Sequence, residues 1–335
     1  MRRAAVLIGV VAVGLGGLLA RPDAARQAPP DRSTWRWYKG NTHAHTTESD
    51  GDSSPETVTR WYRDQGYQFL VLSDHNVLTN IEALSRTFAV PEQFLLVPGE
   101  EVTDVFEKAP LHINGLNVTR LVEPRHGASI PEILQRNIDA IREARGVPHV
   151  NHPNFVWAIA PDHLQQLERY RLLEIFNGHP LVNNEGGGDM PGMETVWDRL
   201  LTSGRRVYGI AVDDAHHFTR PWDPTASKPG KGWVVVRAPR LDASALMASL
   251  EAGDFYASTG VELEAVEATA DAIEIRVHPQ GDARYRITLV DASGAHPPVE
   301  GLTARFPLTA AMRFARVTVR DSNGHQAWTQ PVFFD

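Results

Sequence analysis

Asn41 to Gly51 reads NTHAHTTESDG, and the meaning given to this stretch decides the fold. His43 and His45 stand two apart at the end of a predicted strand, where alternate side chains share a face. Two imidazoles on one face make a pair of metal ligands, and Asp50 in the polar loop that follows offers a carboxylate to the same cluster. Taken alone, the stretch reads as well as a strand-end turn with two solvated histidines. Its partners must decide.

Outward from this stretch, apolar runs predict strands over 37–45, 69–74, 94–97, 111–118, 147–151, 172–176 and 207–212. Helices follow several of them. Ser54, Pro55 and Gly66 bracket one carrying Val58, Trp61 and Tyr62; Ser129 and Glu132 open another that stops at Gly146; a third runs over 193–203 to Gly204. Alternating strand and helix implies a parallel sheet, open or closed into a barrel. A strand over 233–237 and a helix over 242–252 come next, and beyond Gly260 only short strand-like runs remain, at 273–277, 285–290 and 316–319. The expected organisation is a leader over 1–28, a linker over 29–36, an α/β domain over 37–260 and a small all-β, β-sandwich-like module over 261–335.

Composition narrows the chemistry. The 335 residues contain no cysteine, which excludes disulfides, thiolate zinc sites and a cysteine nucleophile, so any metal is held by histidine and carboxylate. Arg2 and Arg3 precede an apolar run from Ala4 to Ala20, and small and polar residues continue through Ala28: the layout of an export signal, short for a membrane span. The expected location is periplasmic or extracellular, without stable membrane insertion after cleavage; an uncleaved N-terminal anchor is the alternative. Removal of residues 1–28, with four arginines and one aspartate, takes the formal charge from −8 to −11. So acidic a chain is not expected to bind nucleic-acid backbones.

Eleven of the fourteen histidines fall between His43 and His217, mostly just after predicted strands. Strand C-termini are where α/β folds place their chemistry. In order, the stations are His43 and His45, Asp50, Asp74 with His75, Glu100 and Glu101, His112, His149 and His152, Glu174 and Asn177, then Asp213, Asp214 and His216. One such group is an ordinary surface residue. Recurrence at nearly every strand end points to metal binding.

Read in sequence, HAH with SDG, then SDH, PGEE, a histidine, NHP and DDAH resemble the ordered motifs of the PHP (polymerase and histidinol phosphatase) superfamily of metal-dependent phosphoesterases, over roughly 38–217. The resemblance implies a distorted seven-stranded (βα) barrel with two or three divalent ions, Zn, Mn or Fe, at its C-terminal face. It assigns His43, His45, Glu101 and Asp214 to one metal, has Glu101 bridge to a second held by His112 and His152, and gives Asp50, His75 and His216 to a third. The family spacing selects Glu101 over Glu100, Asp214 over Asp213 and His152 over His149.

Paired metals lower the pKa of a bridging water, so that hydroxide is present near neutral pH, and offset charge on phosphoryl oxygens. The expected activity is hydrolysis of a small phosphate mono- or diester by metal-hydroxide attack. A non-phosphate ester, carbamate or amide is the alternative substrate, and a metal-stabilised envelope or glycan-binding protein is the alternative without catalysis. His179 and His217 are candidate proton donors or substrate contacts; Arg220, Lys228 and Lys231 are candidate phosphate contacts, against the plain reading of a solvated loop. Asp74 either anchors the loop or orients His75, and Asn177-Gly178 is either a pocket element or a turn. The segment 185–189 lacks the features of a nucleotide-phosphate loop and reads as a flexible loop near the site.

Overall fold

The computed structural model describes residues 32–334, so the leader read at 1–28 and the start of the linker lie outside the described residues. Strand β1 (Arg36–Asn41) leads to helix α1 (Pro55–Asp64), whose start is set by the Ser54 side chain accepting the Thr57 N–H and by Pro55 in the first turn. Its buried face carries Val58 and Tyr62. Strand β2 (Phe69–Val71) and β3 (Leu95–Val97) flank α2 (Ile81–Phe88), a helix not expected from the sequence, capped by Asn80 and burying Leu84 and Phe88.

The next elements are β4 (Gly99–Phe106), β5 (Ala109–Leu116), α3 (Ile130–Glu143), β6 (Val147–Val150), α4 (Pro161–Gln166) and β7 (Leu172–Asn177). A two-residue ribbon, β8 (Gly186–Gly187) with β9 (Met190–Pro191), precedes α5 (Met193–Thr202), β10 (Tyr208–Val212), β11 (Trp233–Ala238), α6 (Ala243–Ala252) and β12 (Phe255–Ser258). The C-terminal part is β-rich as expected: β13 (Leu263–Ala268), β14 (Ala272–Val277), β15 (Tyr285–Asp291), β16 (Gly294–Ala295), β17 (Val299–Glu300), β18 (Thr303–Pro307), β19 (Phe314–Asp321), β20 (Gln326–Thr329) and β21 (Val332–Phe333).

These strands form a mixed α/β architecture of several sheets. One sheet of five strands has the order β10-β7-β6-β5-β4, parallel through β10, β7 and β6 and antiparallel through β5 and β4. A larger sheet of eleven strands contains the parallel run β1-β2-β3, then continues from β1 through β11 and β12 to β20, β19 and β15. The wholly parallel sheet of the sequence reading is thus interrupted. The reason is local: β4 and β5 are joined through Glu107 and Lys108 as a hairpin, without the crossover that parallel pairing needs.

The two large sheets are not closed into the expected seven-stranded barrel. Pro98 separates β3, the edge of one sheet, from β4, the edge of the other. Isolated bridges join the two sheets: Ala44 pairs with Ala215, each just past a strand end, and His75 pairs with Glu101 of β4.

Strands β13, β14 and β18 form a separate small sheet. Ile273, Ile275, Ile287 and Val317 nevertheless share one apolar cluster with Tyr62, Leu70 and Leu72, so the late strands pack with the early ones. Arg316 on β19, 1% exposed, reaches across to α5, where its guanidinium holds Asp198 at 2.7 and 2.9 Å and Glu194 at 3.2 Å, with its charge over the Trp197 ring. Among the described residues no helix is long and apolar enough to cross a membrane.

Candidate metal centre

The HAH segment runs on from β1 and is pinned from both sides. Asn41 accepts the His43 N–H through Oδ1 at 2.8 Å and donates to the Gly232 carbonyl at 3.0 Å. The His43 carbonyl accepts the Asp214 N–H, the His45 N–H reaches the Ala215 carbonyl, and the Ala44 carbonyl accepts the Ser73 N–H. Both histidines are fully buried and face the same way, as alternate residues of extended chain do. Asp74 holds the loop beyond them: its carboxylate accepts from the Thr46 backbone and hydroxyl and from the Ser49 and Thr79 hydroxyls, at 2.7–2.9 Å. Of the two roles read for Asp74, the loop anchor is the one with contacts.

Around this segment all nine candidate ligands converge. Nε2 of His43 lies 3.3 Å from Glu101 Oε2 and 3.2 Å from Asp214 Oδ1; Nε2 of His45 is 3.2 Å from each of the same oxygens. Glu101 Oε1 is 3.0 Å from His112 Nδ1 and 3.4 Å from His152 Nε2. Asp50, the most exposed member, is 3.3 Å from His216 Nε2 and 3.6 Å from both His75 Nε2 and His45 Nδ1. Four overlapping sets bring one donor atom per residue within 4.8 Å of one another: His45, Asp50, His75 and His216; His43, His152 and Asp214; His43, His45 and Glu101; His75, Glu101 and His112. In this arrangement His43, His45, His75 and Glu101 each stand in two sets, and His112 and His152 fall in different sets, each within 3.4 Å of Glu101 Oε1.

Hydrogen bonding does not account for this convergence. His43 Nδ1 is 2.7 Å from Glu174 Oε1, which orients the ring with Nε2 facing inward. That Nε2 lies 3.1 Å from Nε2 of His45. Glu101 Oε2 and His112 Nδ1 are buried without a properly aligned hydrogen bond. Inward-facing nitrogen and carboxylate donors of this kind fit a hard-to-borderline divalent cation, and the absence of thiolates agrees with Zn, Mn or Fe(II).

The electrostatics agree. Burial alone would depress the pKa of His43, but Asp214, Glu101 and Glu174 outweigh it and hold the ring well above its ordinary value; the same opposition raises His45 to about 9. Burial pushes Glu101 and Asp214 up, and the surrounding histidines pull both well below the usual carboxylate range. The cluster therefore attracts positive charge, and protons and metal ions compete for its nitrogens. Asp214 carries this function at φ 48°, a left-handed conformation uncommon outside glycine.

The neighbouring residues not chosen as ligands have partners elsewhere. Glu100 points away, accepts the Val122 N–H at 2.7 Å and is raised by burial to about 7. Asp213 accepts the Tyr62 hydroxyl at 2.8 Å and the Gly232 N–H at 2.9 Å. His149, fully buried, lies 3.3 Å from Glu174 and is lowered by burial to about 4.

A cavity of about 220 Å³ opens over the cluster, lined by Asp50, His75, Glu101, His112, His152, Asp214 and His216 together with Phe155 and His179. His179 is therefore in the site; burial lowers it to about 4, and its Nδ1 accepts the Leu181 N–H at 3.2 Å, so the neutral ring carries its proton on Nε2. The structure does not bring His217 or Arg220 to the cavity: His217 Nδ1 accepts the Ser227 N–H, and Arg220 lies 3.7 Å from Asp223. Lys228 donates to the Pro221 carbonyl, and Lys231 also lies outside the lining. Their loop closes on itself, which draws these side chains away from the metal end.

Glu174 and Asn177 hold the site from behind. Glu174 Oε2 accepts the His152 N–H at 2.7 Å and Asn177 Nδ2 at 2.8 Å; the same Asn177 nitrogen is 3.1 Å from Asp214 Oδ2, and Asn177 Oδ1 accepts the His179 N–H. Gly178 is required by close approach, since a Cβ there would lie 2.7 Å from the Asp213 carbonyl. Asn151 donates to Glu101 at 2.7 Å, and Thr103 lies 2.6 Å from His75 Nδ1. Asn151 follows from its place in NHP; Thr103 had no signal in the sequence beyond its alternation with Glu101.

The fold so assembled is similar to that of a solved two-domain protein from Bacteroides vulgatus containing a predicted PHP-like metal-dependent phosphoesterase. Over 91% of this chain it matches 98% of that one, with a TM-score of 0.52 and 14% identity. In sequence, the chain is 35% identical over 77 residues to the 5′-3′ exoribonuclease Rnm of Salmonella typhimurium, 23% of this chain and 26% of that one. It is 34% identical over 110 residues to the 5′-3′ exoribonuclease of Haemophilus influenzae, 32% of this chain and 37% of that one. The chain thus matches only a quarter to somewhat over a third of these curated relatives. No protein-family model matches it.

Proposed function

We propose that the protein is an exported, multinuclear metal-dependent phosphoesterase. The observation that carries this reading is the buried convergence of His43, His45, Glu101 and Asp214, whose nitrogen and carboxylate oxygen atoms lie 3.1–3.3 Å apart around Glu101 Oε2, an atom with no hydrogen-bond partner. These four would hold one divalent ion, Glu101 would share a second with His112 and His152, and Asp50, His75 and His216 would hold a third. His45 and His75 stand close enough to serve the neighbouring sets. The segments bearing these residues, tied by the two isolated bridges, stand at the join of the two large sheets.

Such ions, when bound, act as Lewis acids on a phosphoryl oxygen and lower the pKa of water. The chain supplies the rest. Glu174 and Asn151 fix the donors, and the cavity limits entry to a small group. His179, protonated on Nε2 when neutral, donates a hydrogen bond to a substrate oxygen or leaving group.

The test is metal analysis combined with a substrate panel: p-nitrophenyl phosphate, bis-p-nitrophenyl phosphate and, because the curated relatives are named exoribonucleases, a short RNA. Metal-dependent release of product, reduced at least a thousandfold by His45→Ala or Asp214→Ala, is expected. Cleavage of aryl acetates or carbamates with no phosphate ester touched would overturn it. That second reading, a non-phosphate ester, carbamate or amide hydrolase, draws its support from one observation: among the described residues no lysine or arginine lines the cavity.

A further inference from the structure

We infer that the site takes esters whose organic portion carries an aromatic ring, seated on an apolar lip made by Phe155, Val156 and Leu181. The inference rests on the phosphoesterase reading for the group that enters the cavity, and on separate observations for the lip. A cavity of about 220 Å³ is smaller than the roughly 300–1,000 Å³ of pockets that enclose a whole organic ligand. The reacting group fits inside; the remainder of the ester lies against whatever surrounds the mouth.

That surround is apolar on one side. Phe155 is the one hydrocarbon side chain lining the cavity, and its ring stands edge-on to His152 and His179, with centroids 5.3 and 5.9 Å away. An antiparallel bridge pairs Phe155 with Val182, so that Val156 and Leu181 each directly flank the bridged pair. The two are 57% and 64% exposed. Single exposed hydrophobic residues need no explanation, but two that flank a bridge whose phenylalanine lines the cavity do.

The lip is also built to hold its shape. Asn154, buried, donates to the carbonyls of Asn183 and Pro191 at 2.9 and 3.0 Å, and Asn183 donates back to the Asn154 carbonyl at 3.1 Å. Val156 and Trp157 are held at φ 43° and 59°. A β-branched residue in the left-handed region is a true outlier, and such strain persists only where the surroundings impose it. The strained turn presents Val156 outward. Among the described residues no lysine or arginine lines the cavity, so apolar contact is what remains to select the organic portion, and the edge-on seating of Phe155 offers a ring an offset or edge contact.

Calorimetric titration of the Mn²⁺-loaded protein with phenylphosphonate and methylphosphonate separates the lip from the chemistry, because neither is hydrolysed. The expected result is that phenylphosphonate binds about tenfold more tightly. The ratio should fall below threefold in the Val156→Asn/Leu181→Ser double variant, Asn being tolerant of positive φ, and stay unchanged in Val105→Asn, an equally exposed valine on β4. Equal affinities in the unaltered protein, or a ratio the double variant leaves intact, would overturn the inference. Competition by adenosine and by phenol reports whether a purine or a phenyl ring is held; displacement by neither counts against the lip. A retained phenyl preference in a protein that hydrolyses no phosphate ester would overturn the phosphoesterase reading and leave the lip standing.

Discussion

Glu174 shows how much one side chain can organise without touching a reacting atom. It orients the His43 ring, holds the His152 backbone and, through Asn177, reaches Asp214 and His179. Glu174→Gln cannot accept from all three donors, so metal affinity is expected to fall 10–100-fold with the fold intact, measured by competition with a chromophoric chelator. At Val156 the opposite trade is expected. Glycine relieves the positive φ, and Val156→Gly should raise stability to thermal unfolding by about 1 kcal/mol. At this scale the residues that converge were legible in the sequence because histidine and carboxylate at successive strand ends have no common structural explanation. It did not assign Glu174, since a carboxylate behind the metal has no spacing rule of its own. It also placed His217 and Arg220 near the site by sequence proximity, which a loop that folds back on itself defeats.

Among the elements, α6 is closed by Gly253 at φ 78°, where a Cβ would meet the Tyr208 ring at 2.5 Å. Gly253→Ala should lower stability by about 1–3 kcal/mol by adding strain and a clash, read by chemical denaturation. The Arg316 attachment between β19 and α5 is a second control point: Arg316→Ala should cost about 3 kcal/mol, because two acids lose a buried partner. Strands with strong apolar runs were legible to within a few residues, from Phe69 to Val71 and from Leu172 to Asn177. Several elements were not, helix α2 and strand β4 among them. Helix α2 offers only two buried positions in eight residues, too few to show a period. Strand β4 reads as polar because Glu100, Glu101 and Asp104 are buried on partners elsewhere in the fold, and its turn uses Glu107 at φ 56° instead of a glycine or asparagine.

For the whole molecule, the charge balance of the cluster predicts a linked response to pH and metal. In chelator-treated protein, His45 is raised to about 9 from an unfolded value of about 6.5. It therefore contributes stability that is complete below about pH 6 and lost as pH rises through about 9. Glu101 and Asp214, depressed, contribute stability present above the ordinary carboxylate range and lost as pH falls through their folded values. Thermal scans from pH 4 to 10 should show the chelated protein weakening at the alkaline end, while the metal-loaded protein holds. At free metal about 1,000 times Kd the added stability is about 4 kcal/mol. The isolated bridges give this a further consequence. Ligands reached through the larger sheet, His43, His45 and His75, meet Glu101, His112 and Asp214 from the smaller one across Ala44–Ala215 and His75–Glu101. Metal affinity is then a gauge of the spacing between two sheets, and Ala215→Val, which removes no donor but widens the join at a fully buried point, should loosen the ion as surely as the loss of a ligand.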